Sequence, residues 1–187
     1  VMGDDKKKGG IGLVKLLVYG VLLIAACGGG LFIYGSSIPE EHLASSSIEV
    51  DRWPLECYDL VADAQNLPKW ASSVKEVRDF KKDGDKLIYT QVVSGNMELI
   101  TTQTNGFRPN EITIEVREAN DKFSGKWAFK FTPIKDGKGT KVTLTEMGKT
   151  PNPLMRAIGS FMMNPEDTIK QYLQDLKKQA ESKKPTS

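Results

Sequence analysis

From Val74 to Met147 apolar and polar residues alternate, and turn signals interrupt them at Asp83-Gly84-Asp85, Ser94-Gly95-Asn96, Arg108-Pro109-Asn110 and Asp136-Gly137 with Gly139. The pattern predicts about six antiparallel strands. Ile112, Ile114 and Val116 alternate with Thr113, Glu115 and Arg117, so one sheet face is apolar and the other wet. Trp127, Phe129 and Phe131 share a face while Lys126 and Lys130 point away, and Val142 and Leu144 repeat the arrangement. A short strand at Ile48-Glu49-Val50 precedes this block. Between the two, Pro54 followed by Leu55–Val61 predicts a helix entered through a first-turn proline, and Asn66–Trp70 a second short helix or turn.

After the sheet the spacing becomes helical. Leu154, Ile158, Phe161, Met162, Ile169, Tyr172, Leu173 and Leu176 fall on one broad stripe. Asn152 is the expected N-cap with Pro153 in the first turn, and Pro165 should kink or break the helix after Asn164. A sheet with one apolar face and a long amphipathic helix bury their apolar surfaces against each other, with the early helices closing one end.

Ahead of the domain, Leu16 to Tyr34 runs without a charge. At ~1.5 Å of rise per residue a helix of this length nearly matches a hydrocarbon core of ~30 Å. Lys6, Lys7, Lys8 and Lys15 precede the run, whereas Arg52 is the only Lys or Arg close behind it. This bias places the N-terminus in the cytoplasm and the domain outside, periplasmic or extracellular. Three readings of the run stay open: an uncleaved signal anchor, supported by Leu31–Tyr34; a lipid-attachment signal ending at Cys27; and a cleaved signal peptide. Gly28-Gly29-Gly30, with Ala25 and Ala26, would permit weak self-association of the anchor or simply form a small-residue stretch. Ser36 to Ser46 is rich in Ser and Glu and contains Pro39, which predicts a polar tether. His42, the only histidine, falls in it and reads as a solvated residue. The expected organisation is a basic N-terminus (1–15), a transmembrane anchor (16–35), a tether (36–46) and one folded domain (47–183).

Composition narrows the function classes. Of 187 residues, 27% are charged and 39% hydrophobic, which fits a globular domain rather than a disordered one. The net charge of +2 comes largely from lysines near the two ends, including Lys177, Lys178, Lys183 and Lys184. No concentrated basic face with interleaved aromatics is present, so no nucleic-acid partner is expected. Cys27 lies in the apolar run and Cys57 in the domain, a placement that argues against an intramolecular disulfide. No His, Cys or carboxylate spacing fits a metal, and neither metal nor cofactor is expected. Without a histidine in the predicted domain, nucleophilic catalysis has no obvious base.

The candidate chemistry is apolar. Trp70, Met97, Trp127, Phe129, Phe131, Met155, Phe161 and Met162 could line a ligand cavity or fill an ordinary core. Glu146 and Arg156 form the polar pair to watch, as a strand–helix bridge or as the group that orients a ligand's polar end. In an enzyme, Glu146 would be the acid/base candidate.

Several segments resemble one superfamily. Pro54-Leu55-Glu56-Cys57-Tyr58-Asp59-Leu60 followed by Leu67-Pro68-Lys69-Trp70 resembles the opening of the SRPBCC, or START-like, superfamily, often labelled polyketide cyclase/dehydrase and lipid transport. Gly125-Lys126-Trp127-Ala128-Phe129 and Gly139–Glu146 resemble its last two strands. Asn152–Arg156, Phe161, Thr168-Ile169 and Tyr172-Leu173 resemble the terminal helix of a membrane-anchored bacterial branch, and Pro39 and His42 are comparable to a proline and histidine found there. The resemblance implies an α+β helix-grip fold, an antiparallel sheet wrapped on a long C-terminal helix, with a hydrophobic cavity between them. It implies no single activity. The expected function is a membrane-tethered binding domain for a hydrophobic small molecule or lipid. A cyclase/dehydratase-type enzyme acting on an apolar substrate and an envelope adaptor with a filled core are the alternatives.

Overall fold

The computed structural model describes residues 9–119, 122–162 and 164–182; Lys6–Lys8 and the predicted end of the domain at residue 183 lie outside them. Helix α1 (Gly9–Ser37) leads into strand β1 (Glu41–Val50), helix α2 (Pro54–Ala62) and a 3-10 segment at Ala64–Lys69. Strands β2 (Val74–Asp83), β3 (Lys86–Val93), β4 (Met97–Asn105), β5 (Glu111–Glu118), β6 (Ser124–Ile134) and β7 (Gly139–Lys149) follow, then helices α3 (Pro153–Met162) and α4 (Pro165–Ser182). The seven strands form one antiparallel sheet in the order β1-β7-β6-β5-β4-β3-β2. Six of them come from the alternating block, as the pattern predicts, and α4 grips the inner face in a helix-grip α+β arrangement.

Local chemistry explains the boundaries. Pro54 starts α2 where its missing N–H costs nothing, and the Trp53 N–H donates to Glu56 Oε2 at 3.1 Å. Asn152 Oδ1 accepts from the N–H groups of Leu154 and Met155, and Asn164 Oδ1 accepts from Glu166 N–H. Each Asn-Pro pair therefore opens a helix. Pro165 does not merely kink one long helix; it begins a second one, whose early Glu166 and Asp167 suit the positive helix end. The predicted single stripe is thus divided. Ile169, Tyr172, Leu173 and Leu176 of α4 are buried, whereas Leu154, Ile158, Phe161 and Met162 of α3 remain exposed.

The tether is the second departure. β1 begins at Glu41, seven residues earlier than Ile48, and pairs with β7 from Glu41↔Lys149 to Val50↔Thr140. Its inward positions are His42, Ala44, Ser46, Ile48 and Val50. Small and polar residues at the first three disguised a strand as a linker. Consequently His42 belongs to the sheet rather than to a solvated tether.

Behind the inner face, Tyr172 of α4 sits at the centre of a ring cluster. Its ring lies 5.1 Å from Trp70, 5.1 Å from Trp127 and 5.7 Å from Phe129, and Phe129 stacks on Phe131 at 6.3 Å. α1 stands apart from this core. Its Gly12–Ser37 stretch, in which the most apolar 18-residue window has a mean hydropathy of 2.4, is long and apolar enough to cross a membrane. The Gly28–Gly30 stretch of α1 has open space around it.

Candidate functional site

Register places the site. Across the inner face one row of neighbours reads His42, Gly148, Gly125, Val116, Thr101 and Tyr89. The next row, deeper in the fold, reads Ala44, Glu146, Trp127, Ile114, Gln103 and Leu87. Beyond it come Ser46, Leu144, Phe129 and Ile112. The first row has two glycines side by side, so the sheet is bare there. The second carries two buried polar side chains, and the third closes with apolar ones.

The bare patch has a use. A Cβ on Gly148 would overlap the His42 imidazole, which lies across this glycine from the neighbouring strand. So placed, His42 Nε2 is 3.9 Å from Glu146 Oε1, and the Glu146 side chain is 9% exposed. Neither His42 Nε2 nor Glu146 Oε2 has a hydrogen-bond partner among the described residues, and the same holds for Trp70 Nε1 in the ring cluster. Burial raises the Glu146 pKa above the ordinary carboxyl value, opposed by hydrogen bonding from the Trp127 side chain and by the charge of His42. The other buried polar group of this row, Gln103, is satisfied: its Nε2 donates to Ala62 O and Asn105 Oδ1, both at 2.9 Å. Cys57 is no nucleophile candidate, because burial pushes its thiol up to about 11.

The residues singled out in the sequence fall into separate places. Trp70, Trp127, Phe129 and Phe131 come together between sheet and α4, with Glu146 beside Trp127. Met97 lies at the start of β4, and Met155, Phe161 and Met162 lie on α3, all of them exposed. Arg156 and Glu146 make no pair. Arg156 Nε donates to Gly35 O at 2.9 Å, and its Nη1 donates to Thr150 O at 3.0 Å and Pro151 O at 2.6 Å. Its Nε and Nη1 thus bind backbone carbonyls where α1 ends and α3 begins. The partner that sequence reasoning missed is His42. The signal that could have found it is the glycine at its cross-strand position.

Two open cavities lie outside the space between sheet and α4. One, about 850 Å³, is lined by outward residues such as Leu43, Ile100, Lys126 and Met147 and also by His42, Gly125 and Gly148 of the first row. The other, about 540 Å³, lies between α2 and α4 beside Asp59, Asp63, Lys69 and Gln179. The inner space itself is occupied by the Tyr172 ring and its neighbours.

Comparison with known proteins agrees with this architecture. The Zhui aromatase/cyclase from Streptomyces sp. R1128 superposes with a TM-score of 0.62 at 11% identity, over 75% of this chain and 94% of that one. A START superfamily protein from Mycobacterium smegmatis gives 0.59 at 16% identity, covering 75% and 98%. A conserved protein from Geobacillus kaustophilus gives 0.56 at 15%, covering 75% and 96%. At such identities the likeness is one of fold, the START-like helix grip. Among curated proteins none matches the sequence. Residues 41–181, however, match the family model for polyketide cyclase / dehydrase and lipid transport, from the first residue of β1 almost to the end of α4. Because that match spans the whole sheet and its gripping helix, this chain belongs to the polyketide cyclase / dehydrase and lipid transport family.

Proposed function

We propose that the protein is a membrane-tethered binding domain for a hydrophobic small molecule or lipid, whose polar end is read by Glu146 and His42. One observation carries this reading. A carboxyl oxygen and an imidazole nitrogen, both buried and both without hydrogen-bond partners, converge on the glycine-bare end of a largely apolar inner face. Ligand sites have this composition: mainly apolar and aromatic walls with a few placed polar groups. An isolated buried polar atom costs roughly 1–3 kcal/mol, which a ligand's hydroxyl or carbonyl would offset. The apolar remainder of the ligand would lie against Trp127 and the ring cluster, with Tyr172 turning aside to admit a longer molecule. Membrane tethering rests on the length and apolarity of α1, and the placement of the domain outside rests on the lysines that precede it.

The test uses the full chain, purified from bacterial cells in nanodiscs and analysed by native mass spectrometry with organic extraction. A co-purifying apolar molecule is expected, and Trp127→Ala should lose most of it. A clean apo mass, with no uptake from a panel of lipids and isoprenoids, would overturn the binding reading in favour of an adaptor with a filled core.

A second reading has an observation of its own. A carboxyl whose pKa burial raises, 3.9 Å from an imidazole, is placed as the acid/base group a cyclase or dehydratase needs. Glu146→Gln separates the two. A binder retains its captured molecule unchanged in both forms, whereas an enzyme converts it and the variant does not.

A further inference from the structure

We infer that α3 is an interfacial helix that seats the open end of the domain on the bilayer beside its own anchor. The inference rests on the membrane-tethered reading above and adds what surface meets the lipid. Its first support is level. α1 has 29 residues, about 43 Å at ~1.5 Å each, which exceeds a hydrocarbon core of ~30 Å. Its last turns, Tyr34 to Ser37, therefore emerge among the headgroups, where a tyrosine is at home and two serines are no burden.

The second support is attachment. α3 is fixed to those same turns. Gly35 is buried, and a Cβ there would run into the Pro153 carbonyl and approach Ala157. Only a glycine lets the two helix backbones come so close. Arg156 donates to Gly35 O, and the rings of Tyr34 and Phe161 stack at 5.6 Å. The height of α3 along the anchor is set by these contacts.

The third support is the face left over. At ~100° per residue, Leu154, Met155, Ile158, Phe161 and Met162 share an arc of about 120°, adjoining Ala157, which is buried beside Gly35. Phe161 is 72% and Met162 76% exposed. This apolar arc is continuous with the apolar surface of α1, so lipid that covers the end of the anchor also covers α3. Arg156, on the opposite side, is turned toward the carbonyls of Gly35, Thr150 and Pro151 and away from this arc. Seating is accordingly by apolar insertion, and neutral phosphatidylcholine suffices without anionic headgroups. The same end of the sheet carries His42 and Glu146, so a molecule leaving the bilayer reaches the inner face directly.

Nitroxide accessibility tests this on the full chain carrying Cys27→Ser, reconstituted in phosphatidylcholine vesicles. Labels are placed one at a time at Met155→Cys and Met162→Cys, with Leu22→Cys as the anchor reference and Lys141→Cys as the water reference. At the two α3 positions, collision with oxygen should exceed collision with a water-soluble nickel chelate several-fold, as at Leu22, with the reverse at Lys141. A water-like ratio on α3 with a lipid-like ratio at Leu22 would overturn the interfacial helix and leave the anchor intact. Low collision with both reagents on α3 would mark a protein contact and overturn it equally. A water-like ratio at Leu22 would remove the tethered reading itself.

Discussion

Glu146 is the residue whose titration the fold controls most directly. Burial between Ala44 and Trp127 raises its pKa, because the charged form loses water that the protein does not replace at Oε2. The folded protein then holds this proton more tightly than the unfolded chain does. The associated stability is fully present below the ordinary glutamate value and is lost as pH rises through the raised folded value. Glu146→Gln should remove that part of the pH dependence and be more stable than the parent at neutral pH and above, measured by urea denaturation across pH 4–8. Equal pH profiles for the two proteins would mean that the carboxyl finds a partner in solution. Glu146 was legible in the sequence as a lone acid in an alternating strand. Its partner was not, because His42 sits among serines, and nothing local reveals that Gly148 of a strand a hundred residues away leaves room for an imidazole.

At the scale of elements, sequence and structure agree wherever a segment's own period decides its form. The alternating block, the Pro-led α2 and the Asn152-Pro153 start were readable, whereas Pro165 was legible as a kink or break and not as the start of a second helix. β1 was readable only in its second half. Its outward positions Ser45 and Ser47 and inward Ser46 flatten the alternation, and the pairing with β7 is supplied by the rest of the fold. This has a practical consequence for any soluble fragment. One starting at Ser45 discards Glu41–Ala44 and leaves β7 paired only with β6 over Glu146–Lys149, whereas one starting at Pro39 keeps the full ladder with β1. At roughly 0.5–1.5 kcal/mol net per hydrogen bond, the shorter fragment should be less stable by on the order of 2–4 kcal/mol. Urea midpoints read the difference, and coincident curves would show that the first four residues of β1 contribute nothing. The orientation of α3 was beyond the sequence for a different reason. A stripe of apolar residues says that a face wants cover, but not whether sheet, anchor or lipid provides it.

For the whole molecule, the deciding question is what occupies the space between α4 and the sheet. The aromatic residues that the sequence offers as cavity lining or as core filling are brought together in one cluster, and the element that decides between the two is Tyr172. Its ring, 5% exposed, touches Trp70, Trp127 and Phe129 at once. Without it, α4 and the strands β6 and β7 would face each other across an apolar hole walled by rigid rings. Fold and function make opposite demands on this side chain: packing favours the ring in place, and a long apolar ligand needs it elsewhere. Tyr172→Ala separates those demands. By analogy with large-to-small core substitutions it should cost about 3–5 kcal/mol, since the sheet and the proline-started helix cannot collapse fully into the gap. It should also create a dry cavity that takes up a small apolar probe such as benzene or xenon, detectable by ligand-observed NMR. Tyr172→Phe, which keeps the ring, should do neither. Loss of stability without probe uptake would mean that α4 closes onto the sheet, and the helix, rather than this single ring, would then be the part that must move when a ligand enters.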